Sequence, residues 1–533
     1  MNYDYVIVGG GSAGCVLANR LSADGKSNVL LLEAGPPDTY PWIHIPIGYG
    51  KTMRHPVLNW GFNTEPNEHM NDRQVYWPRG RTLGGSSAIN GMIQIRGQAE
   101  DFDLWESMGA DGWNSREAIR YFIKSETNSR GANAYHGDSG PLSVSDVGET
   151  GELVDAFIQG CGDLGIPRTD DFNGATQEGA GYLQLTTRKG WRCSAAVGYL
   201  RPARNRANLS VVTGAHATSV VMEGKRAVGV RYRGDSGDVS VRASREVLLC
   251  AGALQSPQLL QLSGIGPASL LQKFGIQVVH ELPGVGENLQ DHLAFGLLYK
   301  CTKPITTNDD LRTLFGKMRI GLKFVLQRRG PLAIGVMTGA MITRAQKDAT
   351  RPDINFFLST VSSEERGAAP HPFSGFTLAY YPFRPTSRGH VRIKSADPFA
   401  APAMQANYLS TDYDRAMMIA GARMARAIAA TPSFSPYILE EYQPGPSVQS
   451  DTAILDAVRN TGASGYHPVG TCRIGRDADA VVDPRLRVHG VEGLRVVDAS
   501  VMPTLVSGNT NAAAIMIGEK GADMIIEDRD QGA

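Results

Sequence analysis

Apolar residues follow several rhythms along this chain, and each rhythm predicts a different element. Residues 5–8 and 29–32 are short, unbroken apolar runs, which suits strands buried on both faces of a parallel sheet. Residues 208–230 alternate apolar and polar positions in strand fashion. Residues 246–249 form another buried run, followed by Cys250-Ala251-Gly252-Ala253 and a helix through SPQLLQLSGIG. Residues 100–126 carry two short amphipathic helices, with Asn114-Ser115 as the cap of the second. INFFLSTV and FTLAYYPF read as strands, TDYDRAMMIAGARMARAIAAT as a helix, and LRVVDAS as a strand ending at Asp498 and Ser500. The chain finishes in an amphipathic helix capped by Asn509, Thr510 or Asn511. After Gly35, a stretch rich in Pro, Gly, Asn and aromatics keeps neither period and reads as a long excursion covering a ligand. Periodicity weakens again over residues 141–187, where the chain is expected to cross into a second domain.

Turn chemistry after the first strand changes the picture from an ordinary sheet to a nucleotide cradle. The run ends in Gly9-x-Gly11-x-x-Gly14. Gly9 suits the tight turn, Gly11 lets backbone approach a pyrophosphate, and Gly14 allows the next helix to pack closely. The N–H groups opening that helix then face the phosphates. Glu33 closes the second strand nineteen positions beyond Gly14, near the separation expected of an acid that binds a ribose 2′-OH. Its carboxylate would repel a 2′-phosphate, which disfavours NADP. Further on, Gly84-Gly85-Ser86-Ser87 offers bare N–H groups where a ring or phosphate could sit against backbone.

Composition narrows the partners. Lys+Arg and Asp+Glu both number 53, so no net charge recruits nucleic acid or an anionic membrane. Glycine makes up 61 of 533 residues, above the usual ~7%. The cysteines, Cys15, Cys161, Cys193, Cys250, Cys301 and Cys472, show no metal or disulfide spacing and read as buried thiols. The first strand begins at Tyr3, which leaves no room for a leader. There is also no uninterrupted apolar stretch of ~18 residues that could form a transmembrane segment. A cytoplasmic protein is therefore expected, with peripheral membrane attachment left open.

With these stretches in view, the chain resembles the glucose-methanol-choline family of FAD-dependent oxidoreductases over nearly its whole length. GRTLGGSSAING from Gly80 and GALQSPQLLQLSGIG from Gly252 resemble the family's two signatures. SGYHPVGTC from Ser464 and SGNTN from Ser507 resemble its active-site segments, and PGVGENLQDH and PTSRGHVRIKSADP are further similar patches. YWPRGRTLGGSS is most similar to bacterial alcohol and choline dehydrogenases and to furfuryl or aryl alcohol oxidases. The implied fold is α/β (α+β overall). A discontinuous Rossmann-like FAD-binding domain (residues 1–145, 205–300 and 455–533) interleaves with a substrate domain of antiparallel sheet and helices (146–204 and 301–454).

The resemblance also implies a site. Gly9, Gly11, Ser12, Ala13, Gly14, Glu33 and Ala34 hold the ADP half of FAD, and the backbone at Ala217 meets the adenine. Arg81, Gly84, Gly85, Asn90, Gly91 and Met92 lie along the flavin, while Asp498, Ala499, Asn509 and Thr510 approach the ribityl chain and ring. Relatives with covalent FAD use a histidine where this chain has Ile89, so non-covalent FAD is implied. Gln94 departs from the signature's aromatic residue or Ala. The implied reaction oxidises a primary alcohol to an aldehyde. His467 takes the hydroxyl proton, flavin N5 takes hydride, and the electrons pass to a quinone or dye acceptor or to O₂. A hydroxynitrile lyase-type reaction on the same flavoprotein fold is the alternative. The residues around His467 suit a base: Pro468 restricts its backbone and Gly470 permits close approach. Asn509 could donate to the alkoxide oxygen as it forms. His136, His292, His371 and His489 lack metal spacing and read as structural, and no metal is expected. Ser86-Ser87 is no nucleophile elbow. Trp42, Trp60, Trp77 and Tyr466 are candidates for lining a substrate channel or packing the core.

Overall fold

The computed structural model describes residues 2–532. The first strand, Asn2–Val8, lies between Val29–Glu33 and the end of Gly237–Leu249, parallel to both. Leu209–Thr213 extends the parallel sheet beyond Val29–Glu33, and Leu494–Val496 pairs with the opposite side of Gly237–Leu249. Every residue of Val29–Glu33 is buried, as the unbroken apolar run requires. Arg226–Gly234 and His216–Glu223 then add an antiparallel flank. The alternation over 208–230 is therefore not one strand but parts of three. Gly214 (φ +68°) and Gly224 (φ +60°) make the turns that break it.

Helix Ser12–Leu21 packs against the C-terminal helix Thr510–Asp530, and an Arg20–Glu519 ion pair at 2.6 Å ties them together. Glu519 is fully buried there, so the contact satisfies a charge as well as covering apolar surface. The second helix expected near residue 115 runs Ser115–Ser125, with the Asn114 side chain accepting from the Glu117 N–H.

A second, antiparallel sheet runs in the order Ile438–Gln443, Leu293–Cys301, Gly375–Pro382, Ile354–Ser359, Met337–Thr343 and Gly179–Tyr182. Asp412–Ala429 covers it; a Cβ on Gly421 would lie 2.1 Å from the Tyr380 ring, so only glycine lets the helix approach this closely. This sheet corrects two of the expected boundaries. Leu293–Cys301, assigned above to the nucleotide domain through residue 300, is a central strand here. Ala463–Ser464, likewise assigned to the last nucleotide segment, pairs with it. No Pro or Gly adjoins Leu293, whereas Ala463–Ser464 is bracketed by Gly462 and Gly465. Within the weakly periodic stretch the chain also forms the helix Glu152–Asp163, whose Leu153, Val154, Ala156, Phe157 and Ile158 are all buried. Glu152, Asp155, Gln159 and Asp163 are exposed and form the polar stripe of an amphipathic helix, so this one element of the stretch does keep a helical period.

Candidate active site

A cavity of about 1270 Å³ is walled by both sheets, from Val8 and Leu32 on one side to Phe295, Phe357 and Tyr381 on the other. At one end the glycine turn forms a tight cradle. Gly9 has φ +105°, and a Cβ there would lie 2.5 Å from the Cys250 carbonyl oxygen; one on Gly14 would lie 1.9 Å from the Gly9 oxygen. The Gly84-Gly85 loop lies directly on this turn. Gly84 N–H donates to Gly10 O at 2.7 Å, and a Cβ on Gly85 would meet Gly11 Cα at 2.7 Å. Two glycine loops that are distant in sequence thus present bare backbone to one space.

Two helix N-termini face the same cavity. Ser12–Leu21 starts after Gly11, and Thr510–Asp530 starts after Asn509; neither N-cap residue supplies a side-chain hydrogen bond. The expected side-chain cap on the last helix is therefore corrected. Asn509 points its amide at His467, and Asn511 accepts instead from Ser12 Oγ at 2.7 Å. Uncapped N–H groups and positive dipole ends aimed into a glycine-lined cavity suit a ligand with a pyrophosphate and an electron-accepting ring, as FAD has. Glu33 is buried beside the cradle and accepts from Gly10 N–H at 2.9 Å and Gly35 N–H at 2.8 Å. Burial pushes its carboxyl up to about 7, against those two bonds and the nearby Arg81.

Of the cofactor residues anticipated, Gly9, Gly11, Ser12, Ala13, Glu33, Ala34, Gly85, Asn90, Gly91, Met92, Ala217, Asp498, Ala499, Asn509 and Thr510 line the cavity. Gly14, Gly84 and Arg81 lie behind its wall. The first two serve close packing, and the Arg81 guanidinium sits 4.9 Å over the Trp60 ring. Asp498 also braces the wall, accepting from Gly252 N–H at 2.8 Å and Ser256 Oγ at 2.6 Å. Asn90 accepts from Met92 N–H and from Arg192, a fully buried arginine that no motif singled out. Ile89, Trp60 and Tyr466 face the cavity, whereas Trp77 is core and Gln94 lies buried away from the wall.

At the other end stands His467, held by contacts on every side. Its Nε2 lies 3.0 Å from Asn509 Nδ2, and its Nδ1 lies 3.0 Å from His292 Nδ1. Its backbone N–H donates to Asp291 Oδ1 at 2.6 Å, and Asp291 Oδ2 accepts from Ser464 and Tyr408 hydroxyls. His292 Nε2 lies 2.8 Å from the Phe383 carbonyl oxygen, and its ring stacks on Tyr381 with centroids 4.5 Å apart. His292 was expected to be merely structural; it instead touches the candidate base, a contact prefigured only by its place in LQDH.

Hydrogen-bond chemistry fixes the protons along this row. A carbonyl can only accept, so His292 Nε2 carries the hydrogen. Burial pushes His292 down to about 4, against that bond, so its Nδ1 is a bare acceptor. The hydrogen between the rings therefore belongs to His467 Nδ1, which leaves His467 Nε2 with a lone pair that accepts from the Asn509 amide. Burial, His292 and the guanidinium groups of Arg79 and Arg366 hold the His467 imidazole well below its usual range. The arrangement can accept a proton at Nε2, on the cavity wall.

Residues 3–294 and 385–518 match the N-terminal and C-terminal models of the GMC oxidoreductase family. An alcohol dehydrogenase [acceptor] of Pseudomonas putida is 44% identical over 536 residues, covering 100% of this chain and 97% of its own length. An oxygen-dependent choline dehydrogenase of Serratia proteamaculans is also 44% identical, with 98% and 96% covered. Among solved structures, pyridoxine 4-oxidase from Mesorbium loti superposes with a TM-score of 0.90 at 33% identity, covering 98% of this chain and 99% of that one.

Proposed function

The chain belongs to the GMC oxidoreductase family, whose members bind FAD, and from that premise we propose that it oxidises a neutral primary alcohol to an aldehyde with His467 as base and non-covalently held FAD. The observation that carries the reading is the proton order from Phe383 through His292 to His467, which leaves a lone pair at Nε2 on the cavity wall.

FAD fits the two glycine loops and uncapped helix ends, with Glu33 toward the adenosine ribose, and supplies a two-electron acceptor for the alcohol's C–H. With Ile89 in the histidine position, the protein provides no covalent link there. Asn509 and His467 hydrogen-bond each other across 3.0 Å. A hydroxyl inserted between them would donate to His467 Nε2 and accept from Asn509 Nδ2. Proton transfer to Nε2 and donation by Asn509 to the growing alkoxide then act on the same oxygen. Asp291 fixes the backbone beneath the ring, so the base keeps its aim.

The surroundings favour a neutral substrate. Val336, Met337, Phe357 and Tyr381 line the cavity, while Arg79 and Arg366 stand near His467. The wall carboxylates away from the glycine loops are engaged, Glu364 by His371, Glu365 by Arg54 and Asp456 by Arg459. A cationic alcohol would meet guanidinium groups rather than a free acid. Electrons would leave to a quinone, a dye or O₂. Anaerobic mixing with benzyl alcohol, hexanol and choline should bleach the oxidised flavin band with the two neutral alcohols much faster than with choline. Failure of every alcohol, or cyanide release from mandelonitrile without bleaching, would overturn the proposal.

A further inference from the structure

Helix Leu314–Gln327 buries only one narrow stripe against the rest of the protein, with ion pairs from Arg319 to Asp310 and from Lys323 to Glu149 along one edge. Gly316, Ile320 and Phe324 are its buried residues, and the Phe324 ring meets Trp191 edge-on at 5.0 Å. The face directly opposite is apolar and open to solvent: Leu314, Phe315, Met318, Leu322, Val325 and Leu326 are each at least 60% exposed. At ~100° per residue these six fall within about 120° of arc, centred opposite the buried stripe. Single exposed apolar residues are ordinary, but six large ones aligned on one helix are not.

The polar positions identify the occupant. The helix carries no acid; Lys317 stands on one flank of the apolar face, Arg319 and Lys323 stand on the other, paired with Asp310 and Glu149, and after the helix end Arg328 lies over Trp191 while Arg329 is exposed. Long basic side chains beside an apolar stripe can extend toward phosphate headgroups while the stripe enters the acyl region. A second copy of the helix would set basic flank against basic flank and is disfavoured. At 14 residues the helix is ~21 Å long, too short to cross a ~30 Å hydrocarbon layer, and no helix among the described residues is long and apolar enough to do so. We propose that Leu314–Gln327 seats the protein on the surface of an anionic lipid bilayer, lying in the plane of the interface. The inference does not depend on the catalytic reading. From this helix the chain passes through Pro331–Ile334 to Val336 and Met337 on the cavity wall, so the seat lies next in sequence to that wall.

The test is flotation of the FAD-loaded enzyme with phosphatidylcholine vesicles, prepared with or without phosphatidylglycerol. The parent should float with the anionic vesicles, less so at high salt or on phosphatidylcholine alone. F315S/M318S/L322S/L326S should reduce flotation by about tenfold or more. It should retain the parental thermal midpoint and turnover with a dissolved alcohol and dye, because these side chains already face solvent. K317E/R329E, at two exposed positions, should abolish the preference for anionic vesicles. Absence of parental flotation, equal flotation by the serine variant, or a vesicle-free dimer that the serine variant dissociates would overturn the proposal.

Discussion

Replacing His292 with phenylalanine keeps a ring stacked on Tyr381 but removes both of its hydrogen bonds, to Phe383 and to His467. The His467 Nδ1–H would then be buried without an acceptor, at a cost of ~1–3 kcal/mol. The ring can escape that cost only by moving its proton to Nε2, the atom that must be bare to act as base. At 1.36 kcal/mol per tenfold, the competent tautomer should fall by roughly 5- to 150-fold. Anaerobic stopped-flow reduction of the flavin over a range of alcohol concentrations should show that loss in the limiting rate. The concentration giving half the limiting rate should change little, because no substrate contact is removed. His292→Asn places an acceptor near the position of Nδ1 and should recover most of the rate. An FAD-replete His292→Phe protein reduced at the parental rate would refute the tautomer assignment, as would equal losses in the two variants.

Glu33→Ala removes the acceptor of the Gly10 and Gly35 N–H groups and the acid proposed for the ribose, and should lower FAD occupancy after purification; unchanged FAD affinity would count against the role. His292 is held neutral to about pH 4 when folded but takes up a proton near 6.5 when unfolded. The unfolded state then binds more protons between those values, so stability should fall as pH drops through the window, by on the order of 3 kcal/mol from this group. Thermal midpoints of His292→Asn should show a weaker acid dependence than the parent, and identical slopes would contradict the assignment. All six cysteines are free and buried, so native protein should resist a thiol reagent that labels six groups after unfolding; rapid native labelling would contradict that burial.

Much of this was legible in the sequence where local chemistry decides the outcome. The unbroken run before Gly9, the spacing of Gly11 and Gly14 and the position of Glu33 define a strand, turn and helix without reference to the remaining chain. The Asn114 cap was readable for the same reason. What could not be read depends on partners far away in sequence. His292 and His467 are 175 positions apart, and only folding shows that they meet. Nothing within TNAAAIMIGEK predicts that Asn509 turns its amide toward His467 instead of capping its own helix. Leu293–Cys301 joins the second sheet because its partners Gly375–Pro382 and Ile438–Gln443 lie there, a choice absent from its own residues.

The most direct test of the central claim is single-turnover reduction of the flavin in His467→Ala, anaerobically and at saturating alcohol. His467 is proposed to be the group that takes the hydroxyl proton, so an FAD-replete, normally folded variant should be reduced on the order of 10²–10⁴ more slowly than the parent. In the parent, the rate should be flat around neutrality and fall only in acid, because the imidazole stays neutral well below its usual range. A His467→Ala protein with full FAD and near-parental reduction would contradict the account.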